Sequence, residues 1–448
     1  MTLLAIDWST VGIKAGQLIL SLSILVVLHE LGHFLPAKWF KCRVEKFYLF
    51  FDPWFSLFKK KIGDTVYGIG WLPLGGYVKI SGMIDESMDK EQMKQPAQPW
   101  EFRSKPAWQR LIIMIGGVTV NLILGFLIFA MILFVWGERT LPLDKLQHGI
   151  AVNPISEKVG LQNGDQITSL GGQPVNEFYE LTRDLILNEA KEVGIIRNGQ
   201  AMSLPIPAGT VKSLIRSKAQ FVEPRVVPVV DTVLPQLAKF TQDELRGGDL
   251  ILSINNTPVQ FYDEYRVEKL KYPNQVVDLN VLRGSDTVLV KAQTDSAGSI
   301  GFFVNADEMA GAYYEKAGFL ESIPAGIRKG WNTLVMNLKN FKLLFTSEEV
   351  EAKESLGSFL SIGNMFGAEW DWERFWNMTA LLSIVLAFMN FLPIPALDGG
   401  HVLFTLYEMI SGRKPGEKFM EYAQMVGMIL LLGLMAYAIG LDFWRFFR

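Results

Sequence analysis

Two histidines and a glutamate lie close together near the start of the chain, in the stretch LVVLHELGHFLPAKWF (residues 25–40). On a helix, His29 and His33 share one face, so both can offer a ring nitrogen to one tetrahedral metal ion. Glu30 lies about 100° around the helix from His29, where it can take a proton from a water molecule at that metal. The spacing therefore predicts two metal ligands and a general base.

The same five residues are only weak evidence in a soluble helix, but here they lie within a long apolar segment. An ionisable group at membrane depth costs about 2.5 kcal/mol or more and usually faces a cavity lined by protein or water. Polar contacts between helices are the alternative explanation. Three such groups within five residues favour a catalytic site.

Four apolar blocks are each long enough to cross a hydrocarbon core of about 30 Å as a helix. They are Leu18–Phe34, Leu111–Trp136, Met378–Leu397 and Met425–Leu441. Lysines and arginines cluster after the first block, before the second, and between the third and the fourth. The positive-inside rule places these loops in the cytoplasm, and it places both termini and the long segment from 137 to about 375 on the outer side.

Charge and cysteine content restrict the function further. The net charge of −3 is too small to indicate a nucleic-acid partner. The single cysteine, Cys42, falls on the predicted cytoplasmic side. We therefore expect the outer portion to fold without disulfides.

The outer portion contains an internal repeat. Residues 160–175 (GLQNGDQITSLGGQPV) align without gaps with residues 244–259 (ELRGGDLILSINNTPV), and Asp165 matches Asp249 at an offset of 84 residues. Each copy combines a Gly-Asp turn, an alternating apolar strand and a second turn. The repeat predicts two copies of one small β-rich module.

The repeated pattern resembles the PDZ domain found in bacterial proteases. A PDZ domain usually binds an extended peptide end as an added strand. The resemblance implies a first PDZ domain over 147–222 and a second over 223–306. The alternative is that both modules are steric spacers with closed grooves.

An amphipathic segment, residues 323–345, follows the repeat within the predicted domain 307–374. Its apolar residues recur at helical spacing, with lysines elsewhere. We expect the segment to pack on the spans, although a position on the membrane surface is also possible.

A catalytic zinc site usually has three protein ligands and a fourth position open to water. The stretch MNFLPIPALDGGHVLF (389–404), at the end of the third block, offers Asp398 and His401 as the third ligand. Asp398 is a hard anionic ligand that lies deeper, and Gly399-Gly400 allows the backbone to turn so that the carboxylate can approach the first helix. Chemistry alone favours Asp398 and leaves His401 open.

The order of several motifs resembles that of the site-2 protease family of intramembrane zinc metalloproteases. The resemblance covers nearly the whole chain, and it extends to the bacterial sigma-E-regulating type, which carries two PDZ domains between the second and third spans. The motifs are His29-Glu30-x-x-His33, GGYVK (75–79), Gly117-x-x-x-Asn121 and NFLPIPALDGGH (390–401).

The resemblance implies a role for each matching residue of the metal centre. His29, His33 and Asp398 would bind one Zn2+ per chain, and Glu30 would be the catalytic base. Asn390 would position the substrate or stabilise the oxyanion. The alternative is that its amide hydrogen-bonds backbone groups left unpaired where a helix is broken.

Further substrate-binding residues follow from the same resemblance. Asn121 would support the substrate loop or pack between helices. Residues 67–82 (YGIGWLPLGGYVKISG) predict a hairpin, which the resemblance identifies as a membrane-dipping β-loop. Its free edge would hold an extended substrate, or the hairpin would only seal the cavity. The substrate-binding residues of this edge are Gly75, Gly76, Tyr77 and Val78.

One departure from the family concerns the loop before the third span. The stretch LGSFLSIGNMF (356–366) lacks the Ser-Gly-Pro motif that the family often carries there. No role is therefore assigned to that loop.

The predicted fold is a polytopic α-helical membrane protein with four transmembrane helices, a membrane-dipping β-loop, and two small α/β PDZ domains on the outer side. The flanking membrane parts are residues 1–136 and 375–448. The resemblance implies a zinc metalloendopeptidase of the bacterial inner membrane that acts in regulated intramembrane proteolysis during a sigma-E stress response. Its implied substrates are single-span membrane proteins, such as an anti-sigma factor, and residual signal peptides.

Two other functions remain as hypotheses. In the first, the chain is a membrane scaffold whose PDZ domains recruit partners and whose zinc site is structural. In the second, it is a metal or ion transporter. Neither function requires Glu30 between the two histidines, so the protease is favoured.

Overall fold

The computed structural model describes residues 7–73, 75–83, 95–351 and 359–447. The chain forms two compact units, which we call the helical unit and the β-rich unit. The helical unit is Met1–Gly137, Lys316–Lys342 and Ser355–Arg448, and the β-rich unit is Glu138–Glu315 and Leu343–Glu354. The segment predicted as one domain, 307–374, is therefore divided between the two units.

The α-helices of the described residues are numbered here in chain order. They are α1 (Trp8–Trp39), α2 (Ala107–Val135), α3 (Pro154–Lys158), α4 (Leu181–Asn188), α5 (Thr210–Ser217), α6 (Tyr262–Lys269), α7 (Ala306–Met309), α8 (Phe319–Thr346), α9 (Phe359–Met365), α10 (Trp372–Phe391), α11 (Asp398–Ser411) and α12 (Glu417–Phe447).

The strands are numbered in the same way. They are β1 (Val44–Leu49), β2 (Phe51–Ile62), β3 (Thr65–Leu72), β4 (Tyr77–Ile80), β5 (Glu138–Thr140), β6 (Ile150–Ala151), β7 (Gln166–Leu170), β8 (Gln173–Pro174), β9 (Glu192–Arg197), β10 (Gln200–Pro205), β11 (Glu223–Pro224), β12 (Thr232–Val233), β13 (Phe240–Gln242), β14 (Leu250–Ile254), β15 (Thr257–Pro258), β16 (Val276–Arg283), β17 (Asp286–Gln293), β18 (Phe302–Phe303) and β19 (Tyr313–Glu315).

Four helices of the described residues are long and apolar enough to cross a membrane, namely α1, α2, α10 and most of α12. This confirms the four predicted apolar spans. The third prediction, Met378–Leu397, extends too far, because α10 ends at Phe391. Pro393 follows closely and excludes the residue before it from helical geometry.

The helical unit is built around α2, on which both α1 and α10 pack. Gly32 and Gly116 lie so close that a Cβ on Gly32 would be 2.5 Å from the carbonyl oxygen of Gly116. Hydrogen bonds join the other helix pair, since Ser383 Oγ donates to the backbone carbonyl of Asn121 over 2.6 Å. Small residues and buried hydrogen bonds of this kind are typical of helix contacts in membranes.

Four strands of the helical unit form one sheet in the order β2-β3-β1-β4. β1 is parallel to β3 and antiparallel to β4. The predicted hairpin over 67–82 is therefore wrong, because β1 lies between β3 and β4. The connection between them crosses β1 and includes Pro73, Gly75 and Gly76, whereas the true hairpin joins β2 to β3. β4 is consequently an edge strand of this sheet.

The amphipathic helix α8 packs on the spans, as expected for residues 323–345. A Cβ on Gly326 would overlap the backbone of Ala130 in α2, and one on Gly330 would overlap the Phe126 ring. The Phe341 ring contacts Phe388 of α10 at a centroid distance of 5.6 Å. Small residues thus let this part of α8 lie directly against the membrane helices.

The β-rich unit contains two sheets with matching strand pairings. The first has the order β10-β9-β7-β8, and the second has the order β13-β17-β16-β14-β15, so the second adds one strand. Ser169 pairs with Pro174 as Ser253 pairs with Pro258. Each sheet has its own apolar core, formed by residues 141–222 and 230–300. The repeat seen in the sequence thus corresponds to two similar modules.

The repeated aspartate forms the same hydrogen bonds in both modules. Asp249 accepts two hydrogen bonds from the Arg283 guanidinium, at 2.8 and 2.7 Å, and one from the Arg246 backbone N–H at 2.9 Å. Asp165 accepts the equivalent bonds from Arg197 and Gln162. Both aspartates are 1% exposed. The Gly-Asp turn is therefore fixed to the last residue of a neighbouring strand.

The two modules contact each other through Asp263. Its carboxylate accepts a hydrogen bond from Asn163 of the first module at 2.8 Å and from Arg225 at 3.3 Å. The Arg225 guanidinium also lies 3.7 Å from the centroid of the Phe261 ring. Charged hydrogen bonds between partly buried groups limit rotation of one module against the other.

The Asp249 interaction predicts a pH-dependent stability. Burial alone would raise the pKa of Asp249, but its hydrogen bonds to Arg283 and to the Arg246 backbone outweigh burial and lower the pKa. A lowered pKa stabilises the fold above the unfolded pKa of about 3.9, and this contribution is lost as the pH falls through the folded pKa. We expect Asp249→Ala to destabilise the second module by about 2 kcal/mol at neutral pH, as for loss of hydrogen bonds to a charged group.

Hydrogen exchange of the full-length protein in detergent checks this prediction. Protection of β14 and β16 should fall in Asp249→Ala at pH 7, and it should fall in wild type only below about pH 4 after correction for intrinsic rates. Asp286→Ala, at the exposed start of β17, is the control. Equal protection in both variants would contradict the assigned role.

Candidate metal centre and active site

Three potential metal ligands converge from two helices. His29 and His33 lie one turn apart on α1, and Asp398 is the first residue of α11. The His29 and His33 Nε2 atoms are 3.3 Å apart. Asp398 Oδ2 lies 3.2 Å from His29 Nε2 and 3.3 Å from His33 Nε2. The three atoms form a nearly equilateral triangle.

The dimensions and chemistry of this triangle fit zinc. A tetrahedral site with bonds of about 2.0–2.1 Å places neighbouring ligand atoms about 3.3 Å apart. Asp398 Oδ2 is buried and has no hydrogen-bond partner with suitable geometry, although two ring nitrogens lie beside it. A buried carboxylate oxygen without a hydrogen-bond partner costs free energy unless it binds a ligand such as a metal ion. Two imidazoles and one carboxylate form a suitable donor set for catalytic zinc.

Both Nδ1 atoms of the histidines have partners, and His29 Nε2 has an amide beside it as well as the triangle atoms. His33 Nδ1 lies 2.8 Å from the carbonyl oxygen of Ile113, to which it can donate. His29 Nδ1 lies 3.2 Å from the Asn121 side-chain amide, and His29 Nε2 lies 3.2 Å from that of Asn390. Such partners orient ligand rings and select the tautomer.

Glu30 lies between the metal ligands and the edge strand. Its carboxylate interacts with the backbone amide of Val78 in β4. A Cβ on Gly76 would approach Glu30 Cγ to 3.4 Å and would overlap more closely with Val26 and Tyr48. The strand can come this near to α1 because residue 76 has no side chain.

One cavity of about 810 Å³ is lined by all the residues predicted to bind metal, act as base or bind substrate. Its walls contain the three metal-binding candidates, the candidate base and both asparagines, together with the start of β4. The lining includes His29, Glu30, His33, Gly75, Gly76, Tyr77, Val78, Asn121, Asn390 and Asp398. Their specific roles in binding and catalysis stay predictions, but the structure brings them together.

His401 also lines the cavity, one turn after Asp398 on α11. Among the described residues, the only group of His, Cys, Asp or Glu side chains arranged to share a metal ion is His29, His33 and Asp398. The arrangement therefore favours Asp398 over His401 as the third ligand.

The predicted turn at Gly399-Gly400 is wrong. Both glycines lie within α11, and the left-handed residue is Ala396, with φ of 84°. Without side chains, the two glycines allow α11 to pack against the preceding loop. A Cβ on Gly400 would lie 2.7 Å from the carbonyl oxygen of Ile394. They permit close packing, while Ala396 provides the change of direction.

Sequence reasoning missed a polar cluster in the cavity wall. The Tyr77 hydroxyl donates to Asp52 Oδ1 over 2.8 Å and lies 3.2 Å from Lys46 Nζ, which donates to it. The Tyr77 ring also stacks on Tyr48, at a centroid distance of 5.3 Å. The register that pairs Tyr48 with Tyr77 creates this cluster, and no local pattern indicates it.

The loop without Ser-Gly-Pro, 356–366, is described only in part. Residues 356–358 lie outside the described residues, and Phe359–Met365 form α9. Ser361 Oγ donates to the Asp442 carboxylate of α12 over 2.7 Å. α9 thus contacts the last membrane helix.

Four membrane-length helices and a histidine–carboxylate centre with a glutamate in the same cavity are typical of a membrane metallohydrolase. The family model of peptidase family M50 matches residues 17–434, and the chain belongs to this family. The protein is therefore a zinc metalloprotease.

Two relatives illustrate the extent of the similarity. A Thermotoga maritima protein named "Putative zinc metalloprotease" is 27% identical, with 95% of this chain and 98% of that protein aligned. The "Regulator of sigma E protease" of Haemophilus influenzae is 26% identical, with 96% of this chain and 98% of that protein aligned. The similarity covers nearly the full length of both relatives.

The close contact of α1 and α2 generates a prediction about zinc binding. A Cβ at Gly116 would overlap the Gly32 carbonyl group, so Gly116→Ala must separate the helices and move both histidines. We expect zinc affinity to fall about tenfold or more, as for disturbed ligand orientation. Alanine stabilises a helix relative to glycine by up to about 1 kcal/mol. Weaker helix formation would therefore not explain a loss of zinc affinity in Gly116→Ala.

Gly16→Ala is the matched control, because a Cβ at this position of α1 meets no atom within 4 Å. Zinc content after competition with a chelator is measured for both variants. Zinc affinity of Gly116→Ala equal to that of Gly16→Ala would show that the contact does not support the metal centre.

Proposed function

We propose that the protein hydrolyses peptide bonds within or near transmembrane segments of other membrane proteins. The observation that carries this proposal is the convergence of the His29–His33–Asp398 triangle, Glu30 and the edge strand β4 on one cavity of the helical unit. A metal site and a base supply the chemistry of hydrolysis, and an edge strand can bind an extended peptide beside them. We assign zinc to the three triangle atoms.

Bound zinc would polarise the scissile carbonyl and lower the pKa of a water molecule toward neutrality. Glu30 accepts a proton from the attacking water and passes it to the leaving amine. Its position beside the triangle and beside Val78 supports this role, since the base then lies between ligands and substrate.

The edge strand β4 supplies the surface on which a substrate becomes extended. Within the described residues, Tyr77–Ile80 pair only with β1. An extended segment can add to the other edge through main-chain hydrogen bonds. Gly75, Gly76, Tyr77 and Val78 would then contact the substrate next to the base, rather than only closing the cavity.

The β-rich unit acts in substrate selection in this proposal. Its two modules carry the repeat that resembles PDZ domains, and the hydrogen bond from Asn163 to Asp263 joins them. Two joined modules would exclude substrates with bulky outer domains. PDZ grooves would bind newly exposed peptide ends. Either action would make cleavage depend on an earlier cut.

The membrane arrangement follows from the positive-inside rule. We place the protein in the bacterial inner membrane, with both termini and the β-rich unit on the periplasmic side and the metal centre near the cytoplasmic side. A sigma-E-regulating relative supports an anti-sigma factor as substrate, and the family resemblance adds residual signal peptides. Regulated intramembrane proteolysis in a stress response is the corresponding role.

The Glu30→Gln variant tests the proposed base. Glutamine keeps the size of the side chain but cannot accept the proton, so we expect zinc to stay bound and cleavage to fall about 10²- to 10⁴-fold. Purified wild type and variant in detergent are incubated with a panel of single-span substrates. Bound zinc is measured in the same samples.

Glu369→Gln is the matched control, because this glutamate is exposed outside the cavity. It should cleave like wild type. Cleavage by Glu30→Gln at the rate of the control would refute the assigned base. Absence of cleavage by the wild type across the panel would favour the scaffold instead.

Asn390 is proposed to stabilise the developing oxyanion or to position the scissile carbonyl. Its amide lies 3.2 Å from the ligand nitrogen of His29, beside the triangle. We expect Asn390→Ala to lower kcat about 10²- to 10³-fold while zinc remains bound. Steady-state kinetics with one cleaved substrate measure this change.

The control is Asn377→Ala, on the same helix, because the Asn377 side chain only donates to the backbone of Glu373. It should leave kcat unchanged. Unchanged kcat in Asn390→Ala would remove Asn390 from the catalytic residues and favour its role in completing the broken helix.

A further inference from the structure

The Asn121 side chain has an incomplete set of hydrogen bonds. Asn121 is fully buried on α2, and its Nδ2 atom lies 3.2 Å from His29 Nδ1. Its Oδ1 atom is buried without a hydrogen-bond partner. Its backbone carbonyl is occupied separately by the Ser383 hydroxyl. The side chain is therefore not required for the hydrogen bond to α10.

The metal centre determines which tautomer His29 must adopt. His29 contributes Nε2 to the triangle, so in the neutral imidazole the proton lies on Nδ1. A buried N–H group at Nδ1 needs an acceptor, and an amide NH2 cannot supply one. A half-turn of the Asn121 amide about its last side-chain bond places Oδ1 at Nδ1. This orientation pairs the N–H of the ring with the oxygen that otherwise has no partner.

The second histidine has a comparable partner. His33 lies with Nδ1 2.8 Å from the Ile113 carbonyl oxygen, which is also on α2. Helix α2 thus faces both rings from the side of their Nδ1 atoms. For His33 the acceptor is backbone and cannot be removed by substitution, whereas for His29 it is a side chain.

We propose that Asn121 is a positioning residue that accepts a hydrogen bond from His29 Nδ1–H and thereby holds His29 Nε2 ready for zinc. This inference rests on the proposed ligand set and replaces the substrate-loop role predicted for Asn121. It assigns the residue to metal affinity and ligand orientation. Asn121 does not contact the substrate in this role.

Three variants separate hydrogen bonding from helix packing. Asn121→Leu keeps a similar volume and removes the acceptor, while Asn121→Asp keeps an acceptor for the ring N–H. Ser383→Ala removes the hydrogen bond between α2 and α10 without altering the group that faces His29. Only the first variant should disturb the metal centre.

The measurement is zinc affinity of the full-length protein in detergent, by competition with chelators of graded strength. We expect about 10- to 100-fold weaker binding in Asn121→Leu, and binding within about threefold of wild type in Asn121→Asp and Ser383→Ala. In cobalt-substituted samples, the visible absorption bands should change in Asn121→Leu alone. If Asn121→Leu does not accumulate, Asn121→Ala replaces it in the same competition.

Wild-type zinc affinity in the variant without an acceptor would overturn the proposal. An equal loss of zinc affinity in Asn121→Leu and Asn121→Asp would also overturn the proposal, because the loss would then come from altered helix packing and not from the missing acceptor. None of these readouts needs a substrate, so they are independent of cleavage. A His29→Ala variant that binds zinc like wild type would instead refute the ligand set itself.

Discussion

Helices α1 and α2 touch backbone to backbone where Gly32 lies against Gly116. Helices with ordinary side chains at the contact have axes about 8–10 Å apart. The next residue, Gly117, continues this close contact, since a Cβ there would overlap the imidazoles of His29 and His33. Both rings therefore lie directly on a helix surface without side chains. The metal-binding nitrogens can meet Asp398 only if this contact is kept.

The polar groups of the helical unit follow from the same constraint. Within a membrane, an unpaired polar group is costly because no water is available to solvate it. Ser21 and Thr379 lie 2.9 Å apart between α1 and α10, and Ser383 donates to the backbone of α2. These bonds hold the helices in register. Asp398 Oδ2 is one exception among the described residues, and an exception of this kind is expected where a metal ion completes the bonding.

Local periodicity allowed the helices and the histidine pair to be predicted, because both depend on residues within one turn of each other. The β-sheet could not be predicted in this way. Its parallel contact between β1 and β3 and the crossing of β1 depend on strands that are not neighbours in sequence. The hairpin prediction failed because alternating apolar residues and glycines identify strands without identifying their partners.

Similar limits applied to single residues. Asp398 and His401 lie one turn apart on α11, so composition could not separate them, and the left-handed Ala396 that sets the start of α11 has no sequence signature. Arg197 and Arg283 were missed because they are 86 residues apart, whereas the aspartates they bind are 84 apart. An alignment without gaps therefore shows the Gly-Asp turns but not their partners.

The position of β4 links substrate unfolding to the proposed chemistry. A transmembrane helix satisfies its own backbone groups, and lipid offers no replacement partners when the helix is opened. An edge strand replaces some of those hydrogen bonds, but only for a segment that lies alongside it. Because Gly76 lets the backbone before β4 approach Glu30, a substrate segment extended on this edge would also be the one that reaches the proposed base and metal site. A base placed far from the strand edge would instead face substrate that is still helical, with its peptide bonds shielded.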